Sequence, residues 1–223
     1  MYNKSQKEKE IFILAFENHK KNKLNEAERL YKKIIKSNPN HFESNFLLGS
    51  LFAQKKKFLE ARRFLKQSIN INPNNTNAFH NLGIVFYELG DYKQGVIYSQ
   101  KAIQIQPNNS EAINNLGNLY KELRELKKSK SCFEKAIEIN SKVPKYYNNL
   151  GNIFKDLGEF DKAIIFYKKT IQIKPTHSNA YYNLGLLYKI LGNFHTAETA
   201  YKNSLKYEPN NLITAYELVK LNG

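Results

Sequence analysis

Tryptophan is absent from the 223-residue chain, and cysteine and methionine occur once each. The lone thiol, Cys132, excludes an internal disulfide and suits a reducing compartment. Aspartate is confined to Asp91, Asp156 and Asp161. The five histidines, His19, His41, His80, His177 and His195, fall at no metal-ligating spacing. No nucleophile motif and no phosphate-binding loop is present, so neither catalysis nor a bound metal or cofactor is expected. No run of about 18 apolar residues exists, which argues against a membrane-spanning helix. The charged opening MYNKSQKEKE lacks the apolar core of a secretory signal. A cytoplasmic location is expected.

Arginine is also scarce. Net charge is +15, from 35 basic and 20 acidic residues, but only Arg29, Arg62, Arg63 and Arg124 are arginines. Residues 1–70 carry 16 basic and 7 acidic side chains, so +9 of the net charge lies there. Lysines scattered over helical surfaces serve solubility before they serve nucleic acid.

What the chain has is a beat. Gly49, Gly83, Gly117, Gly151 and Gly185 stand 34 residues apart, and Pro39, Pro73, Pro107, Pro175 and Pro209 keep the same period, with Ser141 out of step. Such a period marks a stack of one small unit. Six repeats follow, 8–41, 42–75, 76–109, 110–143, 144–177 and 178–211, with a capping helix over 212–223, all within one domain, 1–223. Each repeat holds two amphipathic patterns; in the fourth they predict helices from about Glu111 to Leu123 and from Leu126 to Ile139. Gly90, Gly158 and Gly192 sit where first helices must stop.

A glycine inside a helix costs about 1 kcal/mol relative to alanine. Five repetitions of that cost imply close approach of the second helix, answered by a small series at Ala27, Ala61, Gly95, Ser129, Ala163 and Ala197. Large residues fill the alternate slots, Leu14, Leu48, Leu82, Leu116, Leu150 and Leu184 in the first helices and Tyr31, Leu65, Phe133, Tyr167 and Tyr201 in the second. The third repeat has Ser99 where an aromatic is expected, with Tyr98 as a candidate substitute. Pro144 suits a first helical position.

The 34-residue length, the Leu-Gly pair, the small residue near position 20, the aromatic near 24 and the closing proline resemble the tetratricopeptide repeat family over about residues 8–211. The resemblance implies an all-α, right-handed superhelical solenoid whose first helices line a concave groove. Asn-Leu-Gly openings such as Asn115-Leu116-Gly117 are most similar to the arrays of O-linked N-acetylglucosamine transferases and of bacterial scaffolds.

On the groove side, repeat position 6 is asparagine in the last four repeats, Asn81, Asn115, Asn149 and Asn183, joined by Asn114, Asn118, Asn148 and Asn152. A carboxamide offers two donors and an acceptor, enough to meet both polar groups of an extended backbone. In the transferase arrays, asparagines at the matching position hold the bound peptide; the resemblance carries that role to Asn81, Asn115, Asn149 and Asn183. The polar alternative is that groove positions need only be uncharged enough to line up without repulsion. Lys121 and Lys155 beside the row suggest acidic or phosphorylated ligands. In the first two repeats Ile13 and Leu47 take the ladder position, with Phe12, Phe16 and Phe46 nearby, an apolar end suited to a ligand anchor, to residues 1–7 or to a second copy. The carboxylate clamp of some chaperone-binding relatives is not expected: Asn118 and Asn149 fit it, but Asn114 and Asn179 stand where lysine is needed and Asn183 where arginine is.

The leading expectation is therefore a protein-interaction scaffold holding an extended peptide. A substrate-recognition arm of a larger transferase is the alternative. An RNA-binding helical repeat is a third reading, weakened by the shortage of arginine and of groove aromatics. Tyr216 and Leu221 leave the cap with an apolar outer side, open to a partner, to self-association or to further chain.

Overall fold

The structure, a computed structural model, describes residues 4–222; Met1 to Asn3 and Gly223, which the expected domain range includes, lie outside it. Thirteen helices and no strand occur among the described residues. They form two compact units, Met1–Asn108 and Asn109–Gly223. The amino-terminal unit holds α1 (Lys4–Lys20), α2 (Leu24–Ser37), α3 (Phe42–Gln54), α4 (Phe58–Ile71), α5 (Thr76–Glu88) and α6 (Tyr92–Ile105). The carboxy-terminal unit holds α7 (Ser110–Glu122), α8 (Leu126–Ile139), α9 (Pro144–Asp156), α10 (Phe160–Ile173), α11 (Ser178–Ile190), α12 (Phe194–Tyr207) and α13 (Leu212–Asn222). Within each unit, helices pair as hairpins and each second helix also packs on the next first helix.

The 34-residue beat has physical punctuation. Gly90, Gly158 and Gly192 adopt φ of 74°, 76° and 75° at the end of a first helix. The residue after each glycine then donates back five positions, as Asp91 N does to the Phe86 carbonyl at 3.0 Å, the helix-ending pattern a left-handed residue permits. Asn22, Lys56 and Arg124 occupy the same place with φ of 57°, 56° and 60°, a conformation that strains a residue bearing a β-carbon. Second helices end at the residue before proline: Asn38 and Asn72 are turned toward extended geometry. Asn140 adopts the same geometry with no proline after it, and Pro144 instead opens α9. First helices begin on side-chain caps, with Asn75 accepting from Ala78 N at 2.8 Å and Asn109 from Ala112 N at 3.0 Å.

The glycines meet the second helix as expected, but through a different partner. A β-carbon added to Gly117 would lie 2.7 Å from Phe133 Cε1, on Gly151 2.6 Å from Tyr167 Cε1, and on Gly185 2.5 Å from Tyr201 Cε1. The large aromatic, not the small series, fills the missing side chain's place. The small series lies against the glycine's carbonyl side, where Ser129 Oγ donates to the Gly117 carbonyl at 2.7 Å. In the third repeat Ser99 Oγ itself abuts Gly83. Tyr98 does not stand in for it: Tyr98 stacks on Phe86 at 5.1 Å, as Phe166 stacks on Phe154 at 5.2 Å.

α1 already runs from Lys4, four residues ahead of the repeat frame at Glu8. One further expectation changes. Leu14 is 53% exposed, whereas Leu48, Leu82, Leu116, Leu150 and Leu184 are buried, because α1 packs on α2 and no helix covers its far side among the described residues.

Candidate functional site

The carboxamides of the carboxy-terminal unit form a bonded series. Asn149 Nδ2, on α9, donates to Asn114 Oδ1 at 3.0 Å and to Asn118 Oδ1 at 3.3 Å, both on α7. One repeat on, Asn183 Nδ2, on α11, donates to Asn148 Oδ1 and Asn152 Oδ1 on α9, each at 3.2 Å. The geometry repeats because the 34-residue period places identical groups on successive first helices. Asn149 and Asn183, both at repeat position 6, thus clasp positions 5 and 9 of the helix before them.

The clasp divides the asparagines into two kinds. Asn114, Asn148 and Asn183 are buried, at 2%, 9% and 9% exposure. Asn115, Asn118, Asn149 and Asn152 are half-buried. Burial of an amide demands a partner, and the clasp supplies one. The amide protons of Asn149 and Asn183 are therefore taken up inside the chain. Among the described residues, no hydrogen bond reaches Oδ1 of Asn149 or Asn183, nor the amino groups of Asn118 and Asn152. The series thus retains acceptors on one set of residues and donors on the other, with the orientation of each amide fixed by its neighbours. Asn115 accepts from Asn114 Nδ2 at 3.3 Å. Asn81 belongs to the amino-terminal unit, where it donates to Ser50 Oγ at 2.9 Å.

Sequence reasoning missed the anchor. Tyr167, the ring seated on Gly151, donates its hydroxyl to Asn152 Oδ1 at 2.7 Å, tying the hairpin core to the series. Burial pushes that phenol well above its ordinary value, so it remains a donor. Leu186 stands one repeat on from Asn152, and Tyr201 OH is buried without a hydrogen-bond partner among the described residues. The signal was available in the pairing of position 9 with the aromatic at 24.

Lys121 and Lys155 occupy the same repeat position on α7 and α9 and are half-buried. Their counterpart Lys189 is paired with Glu217 of α13 at 2.8 Å. Glu217 holds the ladder position of α13, so the basic row is neutralised where the amide series ends. In the amino-terminal unit the equivalent positions are apolar: Ile13 is 62% exposed, Leu47 and Phe46 are half-buried, and Phe12 stacks on Phe16.

Among the described residues no group of three or more His, Cys, Asp or Glu side chains is placed to hold a metal. No helix among the described residues is long and apolar enough to cross a membrane. Cys132 is half-buried, and burial pushes its thiol up to about 11.

Tandem hairpins on a 34-residue period, with the period glycine under an aromatic ring in the last three, define a helical-repeat protein. The chain belongs to the tetratricopeptide repeat family. Models described as tetratricopeptide repeat match residues 110–143, 144–177 and 178–211, and the model of anaphase-promoting complex, cyclosome, subunit 3 matches residues 20–102. No curated protein matches the chain significantly. Among solved structures, MamA shows 28% identity and a TM-score of 0.65 over 74% of this chain and 96% of its own. Pseudomonas aeruginosa PilF shows 17% identity and a TM-score of 0.79, over 98% of this chain and 97% of its own. YrrB, described as a TPR protein with an unusual peptide-binding site, shows 19% identity and a TM-score of 0.63, over 83% of this chain and 96% of its own.

Proposed function

We propose that the chain is a non-catalytic interaction scaffold that holds an extended peptide, or an extended segment of a partner protein, along the first helices of the carboxy-terminal unit. The observation that carries this reading is the clasp. It leaves Oδ1 of Asn149 and Asn183 to accept from peptide N–H groups, and the amino groups of Asn118 and Asn152 to donate to peptide carbonyls. Because the amides are oriented beforehand, binding forfeits little side-chain freedom. Asn115 extends the row toward the start of the unit. Lys121 and Lys155 select for acidic side chains on the ligand. The peptide-binding site named for YrrB, a similar fold, is in keeping with this use of the surface.

Neutral amide contacts net only about 1 kcal/mol each, so affinity on the order of micromolar is expected. The test uses a fluorescent, unstructured peptide with glutamate at alternate positions and its lysine counterpart. Lys121→Glu with Lys155→Glu should weaken capture of the acidic peptide by about tenfold or more without moving the melting temperature, since neither lysine takes part in the clasp. Equal capture by the doubly substituted chain would remove the reading.

A further inference from the structure

The second helices of the third and fifth repeats, α6 and α10, differ at nine of their fourteen positions. The five that agree are Ile97/Ile165, Lys101/Lys169, Ile103/Ile171, Gln104/Gln172 and Ile105/Ile173. Three of these pairs, the first, second and fourth, are exposed, and they fall at i, i+4 and i+7, one face of a helix. Ile97 is 55% exposed and Ile165 62%.

The fold does not ask for isoleucine there. The other four repeats place Arg29, Arg63, Ser131 and Thr199 at the same position. Yet in both repeats the isoleucine borders a shallow depression, of about 560 Å³ beside Ile97 and about 490 Å³ beside Ile165. The walls correspond: Tyr98, Lys101 and Gln104 in one, Phe166, Lys169 and Gln172 in the other. The lysine is drawn along the stripe by the glutamine in each, at 3.0 Å from Gln104 Oε1 and 2.9 Å from Gln172 Oε1. Lys66 lies over the Tyr98 ring, and Lys168 adds a second cation beside Ile165.

We infer that these twin stripes, one in each compact unit, are docking sites for an acidic amphipathic helix of a partner protein. An apolar side chain of that helix seats against the isoleucine and the ring behind it, and a glutamate one turn away takes the lysine from its glutamine. The spacing matches what two packed helices present to each other. The charge excludes a second copy as the favoured occupant, because two chains of net +15 repel. Two copies of one site on one chain also suit a partner that engages twice. The surface is separate from the amide series, which lies on the first helices.

The test uses a short synthetic helix carrying leucine and glutamate four residues apart on one face, with a lysine-for-glutamate version as control. Two copies should bind per chain by analytical ultracentrifugation and fluorescence anisotropy. Ile97→Ser or Ile165→Ser alone should reduce this to one, and the pair should weaken binding by about tenfold or more. Serine already occupies that position at Ser131, so folding is preserved, and far-UV circular dichroism checks it. Lys101→Glu with Lys169→Glu should act likewise. Lys121→Glu with Lys155→Glu should leave this binding unchanged, which separates the outcome from that of the peptide groove. No binding to the wild-type chain at about 1 mM, equal binding of the lysine control, or full binding by the double isoleucine variant would each overturn the inference.

Discussion

The two compact units share a hairpin, a period and a set of turns, yet their ladder positions differ in kind. In the carboxy-terminal unit the position carries Asn115, Asn149 and Asn183, two of which bind the preceding helix through their amide protons. In the amino-terminal unit it carries Ile13, Leu47 and Asn81, of which only Asn81 makes such a bond, to Ser50. The hairpin therefore tolerates either chemistry, and the packing inside the hairpin does not dictate the surface. The same division appears beneath the surface. Gly151 faces the ring of Tyr167, whereas a β-carbon on Gly49 would meet Leu65 Cγ at 2.7 Å and the Leu65 backbone nitrogen at 3.0 Å.

That contrast is most sharply broken by filling the glycines. Gly151→Leu should cost about 3 kcal/mol, the upper end of overpacking, because the ring is held in the hairpin core, and Gly49→Leu should cost at least as much, because the Leu65 backbone cannot move aside. Chemical denaturation of both variants gives the comparison, and a much smaller loss at Gly49 would mean that the second-helix backbone there is not a constraint.

The next largest effect separates two tyrosines in the same slot. Tyr167→Phe removes a hydroxyl bonded to Asn152 and leaves that amide short of a partner, at a cost of about 1–2 kcal/mol. Tyr201→Phe removes a buried hydroxyl that has no partner and should cost close to nothing. Paired melting curves decide between these outcomes and a uniform loss.

The turns offer a gain. Lys56→Gly in one unit and Arg124→Gly in the other relieve a left-handed backbone where three repeats already use glycine, and each should stabilise by about 0.5–1 kcal/mol. A fall in stability at both would show that these residues contribute through their side chains instead.

The smallest effect is a pH dependence. Burial, with a lesser push from Lys174, lowers the pKa of His177, whose Nδ1 caps α11 by accepting from Ala180 N at 3.2 Å. A histidine with a depressed folded pKa stabilises fully above its unfolded value, and that contribution fades as pH falls through the folded one. Relative to His177→Asn, which keeps a cap acceptor, the wild-type chain should lose stability as acid is added below about pH 6.5. Parallel curves for the two proteins from neutral to acid pH would contradict the assignment.

The parts of this fold that depend on period were readable from the chain. First helices open at Phe42, Thr76, Ser110 and Ser178 because proline and an Asn or His cap recur before them, α9 opens on Pro144 itself after Val143, whose side chain makes no cap, and the φ-positive glycines stand where they were read. What period alone does not supply is which group fills a space. The small series and the aromatic were both visible near Gly117, Gly151 and Gly185, but only the direction of the missing β-carbon shows that the ring takes its place. Likewise the row of asparagines was visible, while its use as a clasp depends on helices one repeat apart approaching to hydrogen-bonding distance. The early start of α1 follows from Lys4 to Glu10, a run of good helix formers that carries no repeat signal. The exposure of Leu14 depends on an absent neighbour, which no local pattern encodes.

The central claim is that the clasp leaves oriented amide groups for a guest backbone. Side-chain amide resonances of Asn118, Asn149, Asn152 and Asn183, followed by two-dimensional NMR during titration with the acidic peptide, address it directly. Shifts that saturate together at those four residues, with the amides of Asn45 and Asn81 in the other unit unmoved, are the expected result. Saturable peptide binding that leaves all four resonances in place would contradict it.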